Sequence, residues 1–283
     1  MRRAIALGAV LTLALAACGG DDDDDDASAP SDETTTTAGD DGGGPAEART
    51  VEDECADAQE AGVTAPDDFR VNLVTDIGRI DDGTFNQLSY DSMQAAAECF
   101  GFETSYIETV SEADYATNIA TSLSSSPDLI ITSGSLLYTD TLAAAEANPE
   151  VNFVGVDQFH PEYPDNYVGA LFREDQGGFL AGALAGTLSE SGVVGVVGGR
   201  EDVPPVVRFV NAYEAGAKSV NPDIRVVHTY NESFTDTNKG ASDAQQFIGE
   251  GADVVFGAGG PTGSAGVKAA TEAGKWGIGV DQD

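Results

Sequence analysis

The chain has 283 residues, long enough for one large or two medium domains. Its 49 Asp and Glu outweigh 13 Lys and Arg, giving a formal net charge of −36. So acidic a surface excludes nucleic-acid polymers and anionic lipid headgroups as partners, and leaves neutral small ligands open.

Arg2 and Arg3 precede the apolar run AIALGAVLTLALAA and then Cys18. A basic start, a short apolar stretch and small residues make a secretory signal, too short to span a bilayer. Leu15, Ala16, Ala17 and Cys18 also resemble a lipobox, so residues 1–18 are read as a lipoprotein signal with Cys18 as the lipidated residue. The protein is therefore expected on the extracytoplasmic face of the cell membrane. Residues 19–50, with GGDDDDDD, a Thr run and GDDGGGP, cannot bury a core and are expected to form a disordered acidic tether. Outside the cytoplasm Cys55 and Cys99 are a reasonable disulfide pair, with two separate thiols as the alternative.

From Val71 onward, strand-like and helix-like runs alternate. RVNLVTD, FETSYI, DLIIT, VNFVGVD, NYVGALF, VVGVVGG, IRVVHTY, ADVVFGAG and WGIGVD read as strands, with amphipathic stretches between most of them. That alternation predicts an α/β chain with parallel sheets flanked by helices. A fresh start of the unit after NYVGALF predicts two lobes, residues 51–165 and 166–283, with a cleft between; one nine-stranded sheet is the alternative. The small, apolar GGFLAGALAG stretch is too short to span a membrane and is expected to pack closely against a sheet.

Three of these runs end on an aspartate: Asp76, Asp157 and Asp281. Ligands of open α/β sheets bind beyond the carboxyl ends of the strands, where such carboxylates accept hydrogen bonds from hydroxyls or amines. The segment DIGRIDDGTFNQ after the first strand carries Gly78 and Gly83 for a folded-over loop, and Asp82 or Thr84 as a helix cap. Asp81 is expected near the positive end of that helix. Phe85 is either a stacking face for a flat ligand or a hydrophobic staple. GAGGPTG lacks a phosphate-loop pattern and reads as close backbone packing or close approach to a neutral ligand. His160 and His228 stand at unrelated positions and offer no metal-ligand spacing, so no metal or cofactor is expected.

The loop TDIGRIDDGTFNQ resembles the first signature of the basic membrane protein, or PnrA-like, family. These are lipid-anchored substrate-binding proteins of ABC transporters, best known for purine nucleosides. The resemblance continues through VGVD, FREDQGGFLAGALAG, VVGGREDVPPVVRF, AYEAGAKSVNPDI, YNESFTDTNKG, GADVVFGAGGPTG and GVDQD, covering about Arg70 to Asp283. It implies a two-lobed fold of the periplasmic-binding-protein type, with no bond made or broken. It also implies that Asp76 and Asn86 meet the base edge and that Phe85 is one face of an aromatic sandwich. Phe234 is then the other face, with Phe209 and Tyr213 as weaker candidates. Asp157 contributes from the first lobe, and Asp281 takes the ribose hydroxyls. An ABC permease is the implied partner. Members of the family continue past the third aspartate, so the chain is read as C-terminally incomplete, with a natural short form as the alternative. A surface receptor for another small ligand such as a sugar, and an extracellular nucleoside-cleaving enzyme, are the competing functions.

Overall fold

Among the described residues nine parallel strands divide between two sheets that repeat one strand order. The computed structural model describes residues 50–281. Cys18, the expected signal and the expected tether through residue 49 lie outside them. The first lobe holds β1 (Arg70–Ile77), β2 (Glu103–Thr109), β3 (Leu129–Ser133), β4 (Asn152–Val156) and β5 (Tyr167–Ala170), in the order β2-β1-β3-β4-β5. The second holds β6 (Val193–Gly198), β7 (Arg225–Thr229), β8 (Val254–Ala258) and β9 (Trp276–Ile278), in the order β7-β6-β8-β9. Both sheets thus run second, first, third, fourth, and both lobes belong to one compact unit beginning at Arg49.

The central strands β1 and β6 form where the chain is buried on both faces, whereas the edge strands β2 and β7 are partly exposed. Val71 to Asp76 of β1 are buried without interruption, as are Val194 to Gly198 of β6, the pattern of a sheet covered by helices on either side. Asn72 is buried within β1 and fully used: its Nδ2 donates to Ser122 and Ser125, and its Oδ1 accepts from Ser105. Val74, Tyr115, Ile119, Ile130, Leu137 and Phe153 build the main core of the first lobe. Val194, Val196, Val210, Tyr213 and Phe256 do so in the second.

The helices are α1 (Val51–Glu60), α2 (Phe85–Phe100), α3 (Tyr115–Leu123), α4 (Tyr138–Ala147), α5 (Glu174–Leu188), α6 (Pro204–Val220), α7 (Thr237–Gly249) and α8 (Gly260–Glu272). The polar α1 is an addition to the sequence reading, and none of its residues is buried. Thr50 and Asp53 cap it reciprocally, and Cys55 is joined to Cys99 near the end of α2 with the Cα atoms 6.1 Å apart. Gln59 Nε2 adds a hydrogen bond to the Cys99 carbonyl at 3.0 Å.

Two expectations change. β5 pairs with β4 through Phe153↔Tyr167 to Val156↔Ala170, so the lobe boundary moves from residue 165/166 to the stretch after Ala170. The GGFLAGALAG helix, α5, packs its glycines against α6 instead of a sheet. A Cβ placed on Gly182 lies 2.0 Å from the Tyr213 carbonyl oxygen, and one on Gly216 lies 2.0 Å from that of Phe179. Among the described residues no helix is long and apolar enough to cross a membrane. Gly182→Ala is therefore expected to force the helices apart and cost about 3 kcal/mol in a denaturant titration. Gly249→Ala, at the open end of α7, should be neutral or slightly stabilising. Equal midpoints for the two variants would contradict this account of the α5–α6 contact.

Candidate functional site

The carboxyl ends of both sheets face one cleft, lined by residues of both lobes. Asp76 ends the buried part of β1. Its Oδ1 accepts from the Tyr115 hydroxyl and from the Ile77 N–H at 2.6 Å, while its own N–H donates to Asn86 Oδ1 at 3.1 Å. That bond fixes the Asn86 amide with oxygen toward the backbone and leaves Nδ2 as its available donor. Burial pushes the Asp76 carboxyl up to about 6, although the bonds from Tyr115 and Ile77 hold it down.

The loop between β1 and α2 is organised by Asp82. Its Oδ1 accepts from the N–H groups of Thr84 (2.9 Å) and Gln87 (3.1 Å), and its Oδ2 from that of Asn86 at 3.3 Å. Asp82 is thus the carboxylate at the positive end of α2. Thr84 occupies the cap position without capping, because its hydroxyl crosses to the other lobe and donates to Asp281 Oδ2 at 2.8 Å. Asp81 pairs instead with exposed Arg79, and that hydrogen bond lowers its carboxyl.

Asp157 and Asp281 occupy matching places, each just beyond the fourth strand of its lobe and each inside a Gly-Val-Asp-Gln sequence. Both have left-handed backbones, with φ of 60° and 76°, a conformation few residues other than Gly, Asn and Asp adopt readily. Ser135 Oγ donates to the Asp157 carbonyl at 2.8 Å and the Asp157 N–H donates to Ala170, fixing the turn. Asp157 Oδ1 is buried with no hydrogen-bond partner. Burial, then the nearby charges of Glu174 and Asp281, push its carboxyl up to about 7, opposed by Arg208. Asp281 is exposed as a residue but directs its carboxylate into the cleft, where desolvation raises it against the Thr84 hydrogen bond.

Aromatic and apolar side chains supply the rest of the lining. Phe85 comes from the first lobe, and Phe209, Phe234, Val206 and Val280 come from the second. Phe234 lies over Gly199, where an added Cβ would be 2.3 Å from Cε1 of the ring, and its carbonyl accepts from the Thr262 N–H at 2.9 Å. Gly259 and Gly260 bring backbone to the cleft wall, so the GAGGPTG segment gives close approach as well as strand-to-helix packing.

The structure brings Asp76, Phe85, Asn86, Asp157, Phe234 and Asp281 together around this one cleft. Phe209 joins them, whereas Tyr213 stacks on Phe256 in the core, with ring centroids 5.2 Å apart. His160 is buried among Tyr138, Tyr163 and Tyr167, and His228 is exposed on β7, both away from the cleft lining. Gly134, whose backbone φ of +109° puts it against Asp76 Oδ2, is a cleft residue that sequence reasoning missed. Its signal was its place just past β3, the same strand-end rule that exposed the aspartates. Among the described residues no Lys or Arg lines the cleft, and no group of three or more His, Cys, Asp or Glu could hold a metal. The wall is thus rich in acceptors and rings and poor in cations.

A family profile described as "ABC transporter substrate-binding protein PnrA-like" matches residues 69–283. The chain is 34% identical over 229 residues to the ABC transporter nucleoside-binding protein BmpA of Lactococcus lactis subsp. cremoris, covering 76% of this chain and 64% of the relative. It is 33% identical over 228 residues to the CD4+ T-cell-stimulating antigen of Listeria monocytogenes, covering 76% and 63%. The chain thus spans less than two thirds of the length of these relatives. Among solved structures it is similar to an ABC transporter solute-binding protein of Aeropyrum pernix K1. The TM-score there is 0.68 and the identity 29%, over 73% of this chain and 59% of that one.

Proposed function

The chain belongs to the PnrA-like family of ABC transporter substrate-binding proteins, and from that premise we propose that it captures purine nucleosides in the interlobe cleft and delivers them to a membrane permease. The observation that carries this reading is the pairing, across one cleft, of Phe85 and Phe234 with Asp76, Asp157 and Asp281. Phe85 and Phe234 sandwich the base. The Asp76 carboxylate and the Asn86 Nδ2 form an acceptor–donor pair for its edge. Asp157 and Asp281 accept from the sugar hydroxyls, and charge-assisted bonds of this kind are the strong ones. The name of the Lactococcus relative supports a nucleoside as ligand. A lipid on Cys18 holds the protein at the outer face of the membrane.

Calorimetric titration with adenosine, guanosine, inosine, cytidine and ribose tests the proposal. Purine nucleosides should bind, with ribose alone far weaker. A 5′-phosphate should weaken binding at least tenfold, because among the described residues no cation lines the cleft to offset its repulsion from the carboxylates. Phe85→Ala and Phe234→Ala should each cost about 1–3 kcal/mol of binding. Tight binding of ribose with no preference for nucleosides would favour a sugar receptor, and release of free ribose from inosine would favour an enzyme.

A further inference from the structure

Arg200 stands two residues beyond the end of β6, in the second lobe, and Glu112 opens the short 3-10 turn after β2, in the first. Two arms of the Arg200 guanidinium are held by Asp202 of its own lobe, Nε to Oδ1 at 2.8 Å and Nη2 to Oδ2 at 2.5 Å. The third, Nη1, reaches across and donates to Glu112 Oε1. A planar fork seated on one carboxylate presents its remaining edge in a fixed direction, so little side-chain freedom is lost in making the crossing contact. Neither Arg200 nor Glu112 lines the cleft. Both nevertheless act on Asp76, Glu112 raising its proton affinity and Arg200 lowering it, which sets the bridge close to the base-edge carboxylate.

We infer that Arg200 and Glu112 form a latch that biases the two lobes toward closure without touching the ligand, so that they tune release more than recognition. Among the described residues Thr84 to Asp281 is the other hydrogen bond that crosses, but its acceptor belongs to the proposed site and a ligand hydroxyl competes for it. The Arg200–Glu112 bridge has no such competitor. With the Glu112 side chain 48% exposed and that of Arg200 21%, the attraction is modest and sensitive to salt. A modest bias matters because an open–closed equilibrium near balance responds to small differences.

That the closing lobes hold a purine nucleoside rests on the proposed function; the bias itself is read without any ligand. Single-molecule energy transfer in the full chain, with dyes attached through unnatural amino acids at exposed Ser92 of α2 and Ser242 of α7, measures the closed-to-open ratio. Glu112→Gln and Arg200→Gln should each lower that ratio about 1.5-fold to fivefold. The double variant should go no further than either single, since both remove one interaction. Raising salt from about 0.05 to 0.5 M should open the natural protein and leave Glu112→Gln where it is. Unchanged ratios in the single variants, or additive effects in the double, would overturn the latch. In stopped-flow experiments the inosine dissociation rate should rise by the same factor with the association rate little changed. Absence of any inosine binding would reject the ligand reading while the distance measurements still decide the latch.

Discussion

Asp157→Asn is expected to make the ligand-free protein more stable and the binding site much weaker. The carboxylate is short of partners: Oδ1 is buried with none, Glu174 and Asp281 repel it, and its backbone sits at φ 60°. An amide keeps the shape, suits the left-handed backbone and removes the buried charge. Raising a carboxyl from 3.8 to about 7 corresponds to a penalty on the charged form of at most about 4 kcal/mol, and partial exposure reduces it to about 2–3 kcal/mol.

The sign follows from linkage. A carboxyl raised on folding contributes stability that is complete below its unfolded value and is lost as pH rises through the folded one. For Asp157 the loss runs from about 4 to about 7, and for Asp76 from about 4 to about 6. The carboxyls of Asp81, Asp175 and Asp202 are lowered by arginine partners and act in the opposite sense below that window. The ligand-free protein should therefore melt at a higher temperature at pH 5.5 than at pH 8. Asp157→Asn should gain about 5–10 °C at pH 8 and flatten the slope to the shares of Asp76 and Asp281, whose carboxyls burial also raises. The same variant should bind inosine about 10- to 100-fold more weakly at pH 8, having lost a charged acceptor. A natural protein whose melting temperature is level from pH 5.5 to 8 would sink the argument.

Gly134→Ala carries the other large effect, on both folding and binding. Its φ of +109° disfavours any side chain, and an added Cβ would stand 2.5 Å from Asp76 Oδ2 and 3.0 Å from Cγ. Asp76 is held by Tyr115 and the Ile77 N–H, so it cannot yield without breaking those bonds. A stability loss of about 2–4 kcal/mol and an affinity loss of about 100-fold are expected. Gly83→Ala separates the two causes. Gly83 also has a positive φ, +71°, but nothing lies within 4 Å of its added Cβ. It should lose only about 1 kcal/mol through backbone strain. If both variants unfold at the same denaturant concentration, the clash with Asp76 is not the cause.

Most of the nine described strands were legible as short apolar runs bounded by turn residues, with the polar ETSYIET of β2 the exception, and the three aspartates were legible because strand ends are where α/β sheets bind ligands. α1 was hidden for the converse reason. VEDECADAQE offers only Val51, Cys55 and Ala58 on one side, too few for a clear apolar face, and its local signal is the Thr50–Asp53 cap. The β5 strand was seen but assigned to the wrong lobe, since a sequence run does not say which edge it joins. At the α2 cap, Asp82 and Thr84 were equivalent as residue types; only the position of Asp281, 197 residues away, draws the Thr84 hydroxyl off the helix. The Arg200–Glu112 bridge, spanning 88 residues, is invisible for the same reason. The matching Gly-Val-Asp-Gln sequences were readable in principle, and their meaning became clear once both lobes showed the same strand order.

The bond between Cys55 and Cys99 attaches a helix that buries nothing to the far end of α2. A polar helix of ten residues could peel away under a slight pull, but a covalent cross-link does not slip. Tension entering along the backbone at Thr50 is therefore passed through sulfur into the first lobe. Under the attachment proposed at Cys18, that lobe is the fixed jaw and the second, with Phe234 and Asp281, the one that swings. Reduction of the disulfide would move the point at which such a load enters the lobe from the end of α2 to the start of β1.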